Sequence, residues 1–306
     1  MNRHDFNFLH LLKRGLFKRY RVSPSETDGT GKLKIGGIFN WLQDSMDEYS
    51  TVLGVGADYC RKHNLSYALR GYDVSISSLP PWGSVVPIHT RIECLTPCSF
   101  VLRQTMYDPS LKKKLLSACS QVVLLDTALG RLAHPADSFP NYIMDEIISG
   151  PYHLPSIPTP QRIDSSYEII VPWDYIDLNQ HVNNARYVEL AARGLTPEKL
   201  KEMKLRRIAA AFKNAAKCGD HLEIQTQEDP TSSVHSIISK EGDNKTCAKV
   251  CFEWDSKTGN QEIKKEYLNK VSLTMPYNIF MDVDKHKNKV YNPPQKRRSE
   301  SEHVSY

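Results

Sequence analysis

The stretch "WDYIDLNQHVNN" (residues 173–184) places two aspartates, three asparagines and one histidine immediately before "ARYVELAARGL" (residues 185–195). The second stretch has apolar residues at helical spacing, which predicts a helix that begins near Asn183 or Asn184. The first amide groups of a helix lack intrahelical partners and carry partial positive charge. The polar loop therefore lies just before a helix start that can bind an electron-rich oxygen.

Three side chains of this loop, Asp177, Asn179 and His181, alternate along the chain. In an extended segment this spacing points all three to one side. A carboxylate, an amide and an imidazole beside a helix start can orient a water, take its proton and stabilise an oxyanion. Aspartate and asparagine before a helix are also ordinary capping residues, so the spacing alone leaves a structural role open.

An earlier copy of the same pattern lies about 150 residues upstream, because residues 17–54 resemble residues 166–195. Each copy has a short β-like run, an acidic polar loop and then an apolar pattern at helical spacing. The repeat places Lys32 at the position of His181. The polar set is therefore complete only in the second copy.

The segments after each helix predict two strands each, with turn residues such as "PPWG", "CGD" and "EGDN" between them. The order of one strand, one helix and several antiparallel strands occurs twice, which indicates an α+β fold. We divide the chain into four parts: a basic N-terminal segment (1–16), an N-terminal repeat (17–150), a C-terminal repeat (151–284) and a basic, disordered tail (285–306).

The net charge of +5 is located at the ends of the chain. Residues 1–21 carry +5 and residues 285–306 carry +4, so the region between them has a net charge of −4. A nucleic-acid-binding domain is expected to carry its basic residues on a folded face, so we expect no nucleic-acid partner. No apolar run approaches the ~18 residues of a membrane span, and we expect no stable membrane insertion.

The seven cysteines are odd in number and lie mostly in apolar, strand-like sequence, which favours a reducing compartment. We therefore predict a cytoplasmic protein. The first 21 residues lack the apolar region of a secretory signal, and a transit peptide stays open. No cysteine or histidine pair has zinc-site spacing, so we predict no metal and no cofactor.

The residues "DLNQHVNNARY" (177–187) resemble the D-x-N-x-H-V-N-N-x-x-Y motif of hotdog-fold thioesterases, specifically the acyl-ACP thioesterase family of plants and bacteria. In the first repeat, "SETDGTGKLKIGGIFNWLQD" (25–44) is similar to that family's E-x-D-x-x-G-x-L stretch, which ends in L-Q. Residues 67–90 look like its W-x-L-x-R strand and P-x-x-G turn, with Tyr67 in place of the tryptophan. The resemblance extends over residues 17–270.

This resemblance implies a tandem (double) hotdog, in which each repeat wraps an antiparallel sheet around one long central helix. It implies hydrolysis of the thioester between a fatty acyl chain and acyl carrier protein, which releases free fatty acid. It assigns Asp177, Asn179 and His181 to the catalytic loop. The first repeat would mainly shape the acyl pocket, and its candidate lining residues, equally interpretable as core, are Trp41, Leu42, Met46 and Tyr67.

The match fails where the family carries a glutamate in a Y-x-x-E pattern, often followed by cysteine. One alignment of "AFKNAAKCGDHLEI" (211–224) puts Ala215 at the glutamate position, and a shifted one puts Lys217 there and Cys218 at the cysteine position. Neither alignment supplies a carboxylate, so we expect Asp177 to activate the water or to attack directly. Cys218 is also a candidate nucleophile, which would need a nearby base.

Three functions follow from this sequence: an acyl-ACP thioesterase, an acyl-CoA thioesterase, and an acyl-binding protein without hydrolytic activity, which the missing glutamate favours. Acyl carrier protein is acidic, so the basic ends and the clusters Lys112–Lys114 and Lys204–Arg207 are candidates for steering it. We expect a monomer or a homodimer.

Overall fold

The computed structural model describes residues 15–144 and 152–255, which belong to one compact unit, Met1–Lys257. The predicted tail, most of the basic N-terminal segment and the boundary at residues 150 and 151 lie outside the described residues. These domain boundaries therefore stay predictions.

The first repeat begins with strand β1 (Leu16–Arg21) and a short 3-10 turn (Pro24–Glu26), followed by helices α1 (Ile35–Val52) and α2 (Ala57–Lys62). Five strands and two short helices complete it: β2 (Leu65–Ile76), β3 (Val85–Thr96), β4 (Ser99–Tyr107), β5 (Lys114–Asp126), β6 (Arg131–Ala133), α3 (Pro135–Ser138) and α4 (Asn141–Met144).

The second repeat has the same order with fewer residues in its helical part. Strand β7 (Ser165–Ile170) and a 3-10 turn (Trp173–Tyr175) precede helices α5 (Asn184–Arg193) and α6 (Pro197–Glu202). Four strands follow: β8 (Lys204–Phe212), β9 (His221–Glu228), β10 (Ser232–Ser239) and β11 (Thr246–Asp255). The central helix is therefore long in the first repeat and only ten residues in the second.

All of these strands form one antiparallel sheet in the order β1-β3-β4-β5-β2-β8-β11-β10-β9-β7, with β6 beside β5. The two repeats meet where β2 pairs with β8, and the order of the strands is the same when it is read outward from this seam. The predicted α+β fold with two equivalent halves is confirmed, but the halves share one continuous sheet.

Helices α1 and α5 pack against each other and against the inner face of the sheet. Buried apolar residues of both helices, such as Phe39 and Val188, belong to one core with Tyr72 on β2 and Ile208 on β8. Because both helices bury their apolar stripe in this shared core, neither repeat closes its core alone. None of the helices in the described residues is both long and apolar enough to cross a membrane.

The predicted strands on either side of "PPWG" and "CGD" are present, but they are not neighbours in the sheet. Strand β3 pairs with β1 and β4, whereas β2 pairs with β5 and β8. In the second repeat, β9 pairs with β10 and β7, whereas β8 pairs with β2 and β11. The two turns therefore connect separate parts of the sheet, and each one packs against the loop before a central helix. The carbonyl oxygen of Pro80 accepts from Leu33 N–H at 3.0 Å, and that of Ala216 accepts from Val182 N–H at 2.9 Å.

Candidate active site

The loop that carries Asp177, Asn179 and His181 is a tight turn. The N–H of Asp177 donates to the carbonyl of His181 at 2.8 Å, and Gln180 closes the turn with a φ of 62° and an N–H bond to the Asp177 carbonyl at 3.0 Å. The expectation of an extended segment with three aligned side chains is therefore wrong. The residues meet because the turn brings its two ends together.

Asp177 also fixes the turn with its side chain, because Oδ1 accepts the N–H of Asn179 at 2.8 Å. Its other carboxylate oxygen has no partner among the described residues, and the side chains of Asn179 and His181 have none there either. Asp177 and His181 are half-buried, whereas Asn179 is exposed. The turn therefore presents polar groups that are held in place yet free to bind a ligand.

The helix starts where the sequence predicted. Asn183 is the N-cap of α5, and its side chain accepts the N–H of Ala185 at 2.8 Å. The N–H of Asn183 donates to the carbonyl of Tyr175 at 2.8 Å, which fastens the helix start to the preceding 3-10 turn. One helix donor is capped and the partial positive charge of the helix start lies next to the His181 turn.

The first repeat contains a structural twin of this turn. Asp28 N–H donates to the Lys32 carbonyl at 2.7 Å, and Asp28 Oδ1 accepts the N–H of Thr30 at 2.8 Å. The predicted equivalence of Lys32 and His181 is thereby confirmed. With lysine and threonine where the second repeat has histidine and asparagine, the twin keeps the backbone geometry without the complete polar set.

The segment 213–220 lies across from the His181 turn. The bond from Val182 N–H to Ala216 O has the register of the first-repeat bond from Leu33 to Pro80, where Lys32 forms an antiparallel bridge with Pro81. From this correspondence we infer that Lys217 lies opposite His181. Both segments contain a glycine with positive φ, Gly83 at 80° and Gly219 at 88°. This glycine is the feature of the sequence that relates segment 213–220 to the turn around Pro80.

No carboxylate stands at either of the two positions considered for the family glutamate. Ala215 and Lys217 are both exposed, and the next carboxylate along the segment, Asp220, accepts the N–H of Lys217 at 2.8 Å. Cys218 is exposed one residue beyond Lys217, and its sulfur has no hydrogen-bond partner among the described residues. Its role as a nucleophile stays a prediction.

Tyr187 fixes the opposing segment to the helix. It is 2% exposed, and its hydroxyl accepts the N–H of Ala216 at 3.0 Å. Burial raises the pKa of Tyr187 above its ordinary value, which keeps the phenol neutral. Tyr187 of the D-x-N-x-H-V-N-N-x-x-Y motif therefore fixes the segment that contains Lys217 to α5.

The candidate pocket residues divide between two apolar clusters. Trp41 and Leu42 lie in the main core, and Trp41 Nε1 donates to Glu26 at 2.7 Å. Met46 and Tyr67 border a second cluster, which we call the α1 end cluster; its buried members include Tyr49, Leu53, Phe100, Leu124 and Phe139. The sequence expectation treated these four residues as one group, and the structure separates them.

The α1 end cluster lies at the same end of the sheet as the His181 turn. Strands β2 and β8 are antiparallel, and Gly71 of β2 pairs with Ala211 near the end of β8. The residues of β2 before Gly71 therefore lie at the end of the sheet where β8 stops and segment 213–220 begins. Those residues, such as Tyr67 opposite Leu124, line the cluster. The apolar cluster and the polar turn therefore share this end of the sheet.

The two predicted basic clusters lie at the other end of the sheet. Lys204 begins β8, and the nine-residue strand separates it from Phe212 by roughly 26 Å. Lys114 begins β5 beside the end of β2, which is also the end with the first-repeat turn. In the Lys204–Arg207 cluster, Arg206 pairs with Asp255 at 2.7 Å and Arg207 with Asp73 at 2.6 Å, so both charges are already compensated.

A separate groove of about 540 Å³ opens on the outer face of the sheet, between residues 158–161 and the β10–β11 region. Its lining includes Arg206, Asp229 and Glu253 but no residue of the His181 turn. Within the described ranges, no group of three or more histidine, cysteine or carboxylate side chains is arranged to hold a metal ion.

Comparison with protein families matches nearly all of the described chain. The acyl-ACP thioesterase N-terminal domain matches residues 15–142, and the acyl-ACP thioesterase C-terminal domain matches residues 159–255.

Two plant proteins illustrate the relation. The chain is 23% identical over 261 residues to a chloroplastic palmitoyl-acyl carrier protein thioesterase of Cuphea hookeriana, covering 79% of this chain and 62% of that one. It is 23% identical over 228 residues to a chloroplastic acyl-[acyl-carrier-protein] hydrolase of Cuphea viscosissima, covering 70% and 55%. The chain thus spans less than two thirds of the length of these relatives.

Two solved structures share the fold. An acyl-ACP thioesterase from Bacteroides thetaiotaomicron has a TM-score of 0.70 at 18% identity, covering 79% of this chain and 98% of that one. A 12:0-ACP thioesterase from Umbellularia californica has a TM-score of 0.69 at 17% identity, with the same coverage. The tandem hotdog fold expected from the sequence is confirmed by these similarities.

Proposed function

Because this chain belongs to the acyl-ACP thioesterase family, we propose that it hydrolyses the thioester of fatty acyl-ACP and releases free fatty acid. The observation that carries the proposal is the closed turn from Asp177 to His181 at the start of α5. The first repeat builds the same turn without the histidine and the asparagine. The chemistry is therefore assigned to the second repeat.

In the proposed reaction, the free oxygen of Asp177 takes a proton from a water as that water attacks the thioester carbonyl carbon. The new C–O bond forms, the C–S bond breaks, and the thiolate of the carrier receives a proton. Asn179 and His181 orient the water and the carbonyl, and the start of α5 stabilises the oxyanion. Direct attack by Asp177, followed by hydrolysis of the resulting anhydride, gives the same products.

The acyl chain is proposed to enter the α1 end cluster, which lies at the same end of the sheet as the turn and is built on the longer helical part of the first repeat. Met46 and Tyr67 are the pocket candidates that border this cluster. Trp41 and Leu42 then serve the main core.

Acyl carrier protein is proposed to bind at the turn end of the sheet, where the exposed lysines include Lys213, Lys217 and Lys245. Lys240 is also exposed there, but it pairs with Glu223. These positions replace Lys112–Lys114 and Lys204–Arg207 as the steering cluster. The two Cuphea relatives are named as chloroplastic proteins, and the cytoplasmic location of this chain stays a prediction, as does its state as a monomer or homodimer.

A second function, acyl binding without turnover, is favoured by the register inferred from the first repeat, which puts Lys217 and not a carboxylate opposite His181. Hydrolysis of acyl-CoA uses the same turn and differs only in the carrier.

The test is release of free fatty acid from a panel of acyl-ACPs by the purified protein and by His181→Ala. We expect release by the native chain and its loss in the variant. Comparing kcat/KM for one acyl chain attached to ACP and to CoA determines which carrier the enzyme prefers. Tight binding of acyl-ACP with no release from any substrate by a folded protein would replace hydrolysis by the binding function.

A further inference from the structure

Helix α5 of the second repeat contacts the start of helix α1 of the first. The side chain of Glu189 on α5 packs directly on Gly36 in the first turn of α1, and a Cβ on Gly36 would lie 2.2 Å from Glu189 Oε1. Glu189 also pairs with Arg186 at 2.6 Å. A carboxylate of the second repeat is therefore held at the helix start that follows the first-repeat turn.

The twofold relation between the repeats transfers this contact to the candidate active site. The turns and helix starts correspond at a spacing of 149 residues, as Asp28 does with Asp177. Gly36 then corresponds to Ala185 and Glu189 to Asn40. By this correspondence we infer that Asn40 lies near the start of α5, as Glu189 lies at the start of α1.

Asn40 has the properties of a ligand-binding residue at that place. It is half-buried on α1, and its amide has no hydrogen-bond partner among the described residues. Ala185, its expected neighbour, is fully buried in the first turn of α5. An amide without a partner, at the position inferred for Asn40, is free to donate to an incoming oxygen.

Resting on the proposed function, we propose that Asn40 is a catalytic residue whose amide N–H donates to the carbonyl oxygen of the bound thioester. As the carbonyl is attacked, negative charge develops on that oxygen, and a fixed donor stabilises it. Glu189, the counterpart in the first repeat, has only acceptors when it is ionised and would repel such an oxyanion. The pair Asn40 and Glu189 therefore gives a reason, besides Lys32, why the two turns are not equivalent.

The kinetic test compares Asn40→Ala and Asn40→Asp with the native chain on acyl-ACP. Loss of one oxyanion donor is expected to lower kcat by about 10²-fold with little change in KM. Asn40→Asp keeps the shape and loses the donor, so it tests the role even if the alanine variant folds poorly. Glu189→Gln is the matched control at the twin position and is expected to keep the native kcat.

A second readout does not need turnover. A ketone analogue of acyl-pantetheine, with CH₂ in place of the thioester sulfur, is bound to each variant and its carbonyl stretch is recorded by infrared difference spectroscopy. We expect a lower frequency in the native complex than in the Asn40→Ala and Asn40→Asp complexes.

Native kcat and an unchanged carbonyl frequency in both Asn40 variants would overturn the inference. If the native chain releases no acid from any carrier, the proposed hydrolysis fails. The carbonyl frequency then still decides whether Asn40 donates to the acyl ligand.

Discussion

Asp73 on β2 and Ala209 on β8 face each other across the seam between the repeats, and the other pairs of the seam are arranged symmetrically around them. Tyr72 opposite Ala210 has its counterpart in Val74 opposite Ile208. An approximate twofold relation therefore passes through this pair and puts the two turns at opposite ends of one sheet. Only the end with Asp177 and His181 has the complete polar set.

Replacing Asp177 by asparagine tests the proposed base. The amide oxygen can still accept the N–H of Asn179, so the turn is expected to persist while the negative charge is lost. We expect kcat for acyl-ACP to fall by about 10²- to 10⁴-fold, the usual value of general base catalysis. Asp28→Asn makes the same change in the twin turn and should have no effect; a full hydrolytic rate in Asp177→Asn would refute the role.

Lys217→Glu places a carboxylate opposite His181. If the family glutamate acts at this register, kcat is expected to rise above that of the native chain. The turn should survive, because Asp220 binds the backbone N–H of residue 217. Ala215→Glu puts the charge two residues away and should leave kcat unchanged. A gain in Ala215→Glu with a loss in Lys217→Glu would favour the other alignment.

Charge reversal distinguishes the two ends of the sheet as docking surfaces. Lys213→Glu combined with Lys245→Glu is expected to raise the KM for acyl-ACP, and the effect should shrink in high salt because exposed charges are screened. The matched control, Lys113→Glu with Lys204→Glu, changes the same charge at the opposite end. An increase of KM in the control alone would show that acyl-ACP docks at the end of the sheet with Lys113 and Lys204.

Met46→Trp tests the acyl pocket. Met46 is half-buried against the α1 end cluster, so a larger side chain should fill space that a long acyl chain would occupy. We expect the preference in a chain-length panel to move toward shorter acyl groups. Met203→Trp enlarges another half-buried methionine, which packs on the main core, and should leave the preference unchanged. An unaltered profile in Met46→Trp would place the chain elsewhere.

His235 predicts a pH dependence of stability. It is fully buried between Thr226 Oγ1 at 2.9 Å and Ser233 Oγ at 3.1 Å, and burial, with a smaller effect of Lys199, lowers its pKa to about 3. The unfolded chain, with an ordinary histidine pKa near 6.5, binds this proton first as the pH falls. The stability that the neutral imidazole provides is therefore present above about pH 6.5 and is lost toward pH 3.

The measurement is urea unfolding of the native chain and of His235→Gln between pH 7 and pH 4. The free energy of unfolding of the native chain is expected to fall more steeply, with an excess slope of up to about 1.4 kcal/mol per pH unit for one proton. Equal slopes would mean that His235 binds its proton over the same pH range in the folded and the unfolded chain, which contradicts the prediction.

The sequence alone identified the parts of this protein that depend on nearby residues. The turn from Asp177 to His181, the cap at Asn183 and the helix after it follow from local hydrogen bonds and helical spacing, as does their twin around Asp28. Periodicity and turn residues likewise predicted the strands. Spacing by itself suggested an extended loop, because it does not report the positive φ of Gln180 that closes the turn.

Only the tertiary structure decided which distant residues meet. We infer Lys217 opposite His181, and Asn40 near Ala185, from the twofold relation that the pairing of β2 with β8 fixes between the repeats. The same pairing sends Lys204 and Lys114 to the far end of the sheet. These relations rest on hydrogen bonds and packing between residues that are far apart in the chain, which form only when the whole sheet is assembled.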